Sequence, residues 1–167
     1  MTTERPRRGI HHVAYACCDI QANHHFYADL LGLELVHTEV TPFADGFFHH
    51  VFYDTGDGTC LAFFDLHGVG EEDKQNTAVS TGLGMPAWVN HFALRSDPER
   101  TKEILNCLEA AGHDVLKIDH GWCRSRYVTD PNGIAVELCE DTPGFDPDPE
   151  AAKKLLDVVP DGTRVIS

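Results

Sequence analysis

Asp130-Pro131-Asn132-Gly133-Ile134-Ala135-Val136-Glu137 reads as a tight turn that launches a strand. Pro131 presets its own φ, and Gly133 takes a positive φ at no steric cost. From Ile134 to Cys139 the residues are apolar or small except for Glu137, the composition of a buried strand. Side chains alternate along a strand, so Ala135, Glu137 and Cys139 share one face while Val136 and Leu138 share the other. A carboxylate in that setting needs a partner, because an unpaired buried charge is costly. An arginine, a proton or a metal ion would each serve.

Outward from this strand the chain reads as one pattern written twice. Trp88 to Arg95 is a strand with His91 and Ala93 on one face. Asp97-Pro98 caps a helix that runs to about Ala111, with Gly112 as its stop. Strands follow near Asp114 to Ile118, Cys123 to Thr129 and Ile134 to Cys139. In the first half, Ile10 to Cys18 is a strand with His12, Ala14 and Ala16 on one face. Asp19 caps a helix through about Leu31, and Gly32 ends it. Leu33 to Val40 and Phe47 to Asp54 are strands, Thr55-Gly56-Asp57-Gly58 is a hairpin turn, and Thr59 to Asp65 is a fourth strand.

The halves also match residue by residue. His12-Val13-Ala14 corresponds to His91-Phe92-Ala93 (91 − 12 = 79), and Gly58 to Gly133 (133 − 58 = 75). The second offset puts Ala62 where Glu137 stands. The expected fold is α+β, two βαβββ modules forming a curled mixed sheet, a half-barrel, around one site. The expected organisation is an N-terminal arm over 1–9, modules over 10–66 and 88–140, a glycine-rich acidic linker over 67–87, and an acidic tail over 141–167. The tail carries one short amphipathic helix near Glu150 to Val158.

A chain of 167 residues is long enough for one domain with a sizeable core. Its net charge of −14 argues against a nucleic-acid partner, which would need a basic face. Met1 to Arg8 is polar and basic, and no apolar run is long enough to span a bilayer, so the expected location is the cytoplasm, with no membrane partner. Six cysteines without a Cys-x-x-Cys pair read as free thiols. Cys17, Cys60, Cys107, Cys123 and Cys139 lie among apolar residues and read as small buried hydrophobes.

The strings Gly9-Ile10-His11-His12-Val13-Ala14-Tyr15, Phe26-Tyr27-Ala28-Asp29-Leu30-Leu31-Gly32, Asn90-His91-Phe92-Ala93-Leu94 and Asp130 to Glu137 resemble the vicinal oxygen chelate superfamily. That group includes glyoxalase I, fosfomycin- and bleomycin-resistance proteins and extradiol dioxygenases. The resemblance implies one divalent metal held by His12, His91 and Glu137. Two imidazoles and a carboxylate on one face of an octahedron leave the other positions for substrate, water or O₂.

Within the superfamily, Ala62 stands where glyoxalase I carries a carboxylate that is both ligand and base. Fosfomycin transferases place a threonine where this chain has Ala14. Extradiol dioxygenases carry a tyrosine ten residues before the glutamate, and Tyr127 stands there. The resemblance therefore implies an Fe(II) extradiol-type dioxygenase acting on a catechol-like or other vicinal-oxygen small molecule. The first module's last strand has no histidine in the place where ring-cleaving enzymes keep their acid–base residue. His49, His50 and His120 are the candidates to fill that role, since imidazole titrates near neutral pH. Two alternatives stand beside this reading: a glyoxalase-type isomerase, epimerase or lyase using Ni, Zn, Co or Mn, and a binding protein for a small ligand or antibiotic. Family members commonly form homodimers, so the resemblance also implies a dimer, with His12 and Glu137 facing each other across its interface.

Overall fold

The computed structural model describes residues 9–161. Residues 1–8 of the arm expected over 1–9, and the last six residues of the tail, lie outside that range. The first unit comprises β1 (His12–Cys17), α1 (Ile20–His24) continuing as a π-helix over His25–Leu30, β2 (Glu34–Phe43), β3 (Gly46–Asp54) and β4 (Cys60–His67). A short 3₁₀ turn at Glu72–Lys74 and α2 (Val79–Gly82) follow. The second unit comprises β5 (His91–Arg95), α3 (Pro98–Ala110), β6 (Leu116–Asp119), β7 (Cys123–Thr129) and β8 (Ala135–Asp141), and α4 (Pro149–Lys154) comes after it.

Each unit forms one four-stranded mixed sheet, ordered β1-β4-β3-β2 and β5-β8-β7-β6. β1 runs parallel to β4 and β5 parallel to β8, while the remaining pairs are antiparallel. The α+β fold of two βαβββ modules is therefore as the repeat implied. Register makes the repeat concrete. Ala14 lies opposite Ala62 on β1 and β4, and Ala93 lies opposite Glu137 on β5 and β8.

Local chemistry accounts for most element ends. Asp19 Oδ1 accepts from the backbone N–H groups of Gln21 (2.8 Å) and Ala22 (3.0 Å), and Asp97 caps α3 in the same way, which satisfies donors that a helix start leaves open. Three elements differ from expectation. The first helix does not continue as α to Leu31: its second half widens, with Leu31 N–H bonding Phe26 C=O at 3.1 Å. The wider turn lets the neighbouring Phe26 and Tyr27 both bury completely. β5 begins at His91 rather than Trp88, because Val89 N–H bonds Pro86 C=O and Asn90 N–H bonds Ser80 Oγ at 2.7 Å, a turn that withdraws those groups from pairing. α4 stops at Lys154, and Leu155, Leu156 and Val158 are exposed, so no packed apolar stripe forms. All six cysteines are free thiols, and Cys107 is exposed rather than buried.

One apolar core serves both modules. Val51, Leu61 and Phe63 of the first sheet join Leu94, Val136 and Leu138 of the second, with Tyr27 and Leu108 from the helices. Ring contacts cross between the modules at Tyr15–Phe92 (5.7 Å) and Phe26–His113 (5.5 Å). The Asp130–Gly133 turn fastens them together. Asp130 Oδ1 accepts from the N–H groups of Asn132 (2.9 Å) and Ile134 (2.7 Å), and its Oδ2 from Asn132 Nδ2 (2.8 Å) and the Tyr27 hydroxyl (2.7 Å). Asn132 reaches back to Asn23 Oδ1 and accepts from Cys18 N–H. Burial first, and the Asp130 charge second, hold the Tyr27 phenol well above its ordinary pKa, so it remains the donor.

Candidate metal centre

β1 turns Tyr15 and Cys17, and β5 turns Phe92 and Leu94, toward that shared interior, so His12 and His91 lie on the opposite faces. On the second sheet, His91 projects from the start of β5 and Glu137 from the middle of β8. His91 Nε2 stands 3.0 Å from Glu137 Oε2. The other ring nitrogen, Nδ1, lies 2.8 Å from the Trp88 carbonyl oxygen, to which it donates. That bond fixes the ring with Nε2 facing the carboxylate, the arrangement by which a neighbouring carbonyl orients a metal-binding imidazole. Glu137 is buried, and its second oxygen, Oε1, accepts a short hydrogen bond from Ser125 Oγ.

Tyr127 pairs with Glu137 across β7 and β8, and its ring meets His91 edge-on at 5.8 Å. Its hydroxyl lies 3.1 Å from His120 Nε2. Burial, with the Glu137 charge adding to it, raises the Tyr127 pKa, so the phenol keeps its proton at neutral pH. Tyr127 and His120 thus form a protonated phenol–imidazole pair beside the His91–Glu137 pair.

The outer face of the first sheet holds His12, His37, Glu39, His50 and Phe52, by the registers of β1 to β4. His12 and His50 rings are 6.1 Å apart, His50 stacks on Phe64 at 3.7 Å, and His50 Nδ1 is 4.0 Å from Glu39 Oε2. His50 is buried and its Nε2 has no hydrogen-bond partner; burial lowers its pKa. His49 faces the opposite side of β3, against Asp65. Ala62 is fully buried and offers no ligand.

A single chain brings His91 and Glu137 together, and Tyr127 with His120. It does not bring His12 to them: among the described residues, no cluster of three ligand atoms joins His12 with His91 and Glu137. The physical reason is that the two ligand-bearing faces lie on opposite sides of the shared core. Ser125 and the Trp88 carbonyl escaped the sequence reading. Ser125 was available from alternation, since Cys123, Ser125 and Tyr127 share a face with Glu137; the carbonyl was not, because Trp88 reads as strand. A surface groove of about 470 Å³ between the first helix and α3, lined by Asp29, Asp97, Arg100 and Glu103 among others, contains none of these side chains.

The model of the glyoxalase/bleomycin resistance protein/dioxygenase superfamily matches residues 9–138. The chain belongs to that superfamily. No curated protein sequence matches it. Among solved structures it is similar to a lactoylglutathione lyase from Agrobacterium tumefaciens, at 26% identity and a TM-score of 0.55 over 84% of this chain and 100% of that one. It is also similar to a candidate dioxygenase from Bacillus subtilis subsp. subtilis str. 168, at 24% identity and a TM-score of 0.58 over 79% of this chain and 40% of that one. A third is an antibiotic binding protein from Streptomyces sp. CB03234, at 18% identity and a TM-score of 0.56 over 83% of this chain and 100% of that one. Members of the glyoxalase/bleomycin resistance protein/dioxygenase superfamily generally bind a divalent metal and act on small molecules. A buried carboxylate, an imidazole whose far nitrogen is already bonded, and a serine holding the second carboxylate oxygen are a donor set that fits such an ion. No described helix is long and apolar enough to cross a membrane.

Proposed function

We propose that the protein is an Fe(II)-dependent dioxygenase of this superfamily, acting on a catechol-like or other vicinal-oxygen substrate. The observation that carries the proposal is the His91 Nε2–Glu137 Oε2 pair, fixed from behind by Trp88 and Ser125, with the Tyr127–His120 pair beside it. His12 is the third ligand, and it comes from a second copy of the chain. Two features support that arrangement: the two ligand-bearing faces of one chain point apart, and β1 and β5 are both edge strands of their sheets. A symmetric homodimer that sets the first sheet of one copy against the second sheet of the other builds two identical sites.

Held by His91, Glu137 and the second copy's His12, Fe(II) would supply Lewis acidity and redox chemistry for a vicinal-oxygen substrate and O₂. The remaining work belongs to the chain. Tyr127, which keeps its proton, donates a hydrogen bond to a substrate oxygen, and His120 holds the phenol in position. His50, neutral because burial disfavours its charged form, is the base on the His12 side of the site, its ring 6.1 Å from that of His12. Phe52 and Phe64 close the apolar wall on that side. Ala62 separates this reading from a glyoxalase-type lyase or isomerase, since no carboxylate stands at the place equivalent to Glu137.

Two experiments test the proposal. Catechols added anaerobically to the Fe(II)-loaded protein are expected to shift the iron's absorption spectrum, and O₂ consumption is expected to follow on admission of air. If no catechol perturbs the iron, the dioxygenase reading fails. The shared site is tested by mixing H12A and E137Q chains, each inactive alone. Exchange of subunits restores an intact site in each mixed dimer, on the order of a quarter of all sites. No recovery after exchange would place all three ligands in one chain.

A further inference from the structure

On the opposite side of the first sheet from His12, two histidines converge on one carboxylate oxygen of Asp65. His49 Nδ1 lies 3.0 Å from Asp65 Oδ2, and His67 Nε2 lies 2.7 Å from the same atom. Their ligand atoms all fall within 4.8 Å of one another. Strand geometry assembles them: His49 pairs directly with Asp65 across β3 and β4, and His67 follows Asp65 by two residues on the same face. We propose that His49, Asp65 and His67 form a second metal site, for Zn(II) or a similar divalent transition ion, separate from the His91–Glu137 centre.

Asp65 is the residue that calls for an ion. Its side chain is buried to 9% exposure, and its ion-pair partners among the described residues are these two histidines. A buried carboxylate needs a compensating charge. Imidazole N–H groups can donate hydrogen bonds to it, as His49 and His67 do here, but a neutral ring brings no compensating charge. At neutral pH a divalent ion meets the requirement, and two imidazoles with one carboxylate are a donor set that suits zinc, nickel or cobalt better than calcium or magnesium. When an ion enters, the protons now shared toward Asp65 shift through solvent to the far ring nitrogens, and the near nitrogens become ligands.

The site is also held in shape. Phe47 stacks flat on His67, with centroids 4.5 Å apart and planes 13° from parallel, and meets His49 edge-on at 5.4 Å. Gly46 lets the start of β3 close on the end of β4: a Cβ there would collide with the His67 carbonyl oxygen. Both imidazoles retain solvent access, at 30% and 45% exposure. The ion would therefore keep open positions for water and exchange with the medium.

The test is zinc uptake by chelator-stripped protein, counted by equilibrium dialysis with elemental analysis. H49A/H67A is expected to bind one zinc fewer per chain than the unsubstituted protein. Equal uptake overturns the proposal. A second comparison keeps the result independent of the His91–Glu137 centre and of folding. E137Q disables that centre and is expected to retain zinc at this one, while E137Q/H67Q, altered further only at a half-exposed side chain, is expected to bind that zinc at least tenfold more weakly. Equal zinc affinity in E137Q and E137Q/H67Q, with unchanged circular dichroism, would likewise overturn it.

Discussion

Glu137 Oε1 accepts a hydrogen bond from Ser125 Oγ while its Oε2 faces His91 Nε2 at 3.0 Å, so one buried carboxylate is held from one side and presented to an imidazole on the other. Ser125 is fully buried and makes no contact with substrate in the proposed reading; its work is to aim Glu137. Ser125→Ala is therefore expected to weaken metal binding by about 10–100-fold while the fold persists, the usual cost of losing an outer partner of a ligand. Competition against a chelator of known affinity measures this directly. Unchanged affinity would mean that β8 alone orients the carboxylate.

The hydroxyl of Tyr27 and the carboxylate of Asp130 join the two modules at 2.7 Å inside the core. Tyr27→Phe keeps the ring packing and removes one bond, leaving Asp130 Oδ2 with Asn132 alone. The expected loss is about 1–3 kcal/mol of folding stability, the range for a buried acceptor that loses a partner. Asp130→Ala removes all four bonds and is expected to cost more than Tyr27→Phe. Urea denaturation of the two variants ranks them, and equal costs would show that the inter-module bond carries the whole effect.

That pair also marks where sequence reading reaches its limit. Helix caps at Asp19 and Asp97, the positive-φ stop at Gly112 and the alternation that puts Glu137 beside Ala135 are local, and each is readable from a few neighbouring residues. The repeat then orders the strands, because His12 with Ala14 and His91 with Ala93 sit in equivalent registers. Tyr27 and Asp130 are 103 residues apart, and nothing local tells either that it has a partner. The π-turn that buries Phe26 and Tyr27 together, the Ser80 bond that delays β5, and the outward divergence of the two ligand faces all arise from packing between distant segments. For that reason His91 and Glu137 could be paired from the repeat and its registers, while the placement of His12 across an interface rested on the family resemblance alone.

Gly133 has φ +78°, and a Cβ added to it would sit 2.7 Å from the Ala78 Cβ. Gly121 has φ +82° with nothing within 4 Å of its added Cβ. Both substitutions to alanine carry the left-handed backbone cost of roughly 1–2 kcal/mol. Only Gly133→Ala must also push α2 and its preceding loop away from the Asp130 turn. It is expected to destabilise clearly more than Gly121→Ala in thermal unfolding. A pair of equal Tm shifts would show that the loop around Ala78 yields freely.

His50 gives the protein a pH dependence whose sign follows from its surroundings. Burial lowers its pKa, Glu39 partly opposes that, and His12 and His37 add to it. Between the lowered folded value and the unfolded value of about 6.5, the unfolded chain binds more protons than the folded one, so stability rises with pH through this interval. The contribution is complete above the unfolded value and disappears as pH falls through the folded one. Chelator-treated protein is therefore expected to unfold at lower urea concentration at pH 5.5 than at pH 8, and His50→Gln is expected to reduce that difference. The change in slope is the readout, because loss of the stacking on Phe64 shifts stability at every pH alike. Glu39→Gln removes the opposing charge, lowers the His50 value further and is expected to steepen the same slope. If neither variant alters the slope, the proton uptake that destabilises the protein in acid belongs to other groups, and His50 would not be the neutral base invoked at the site.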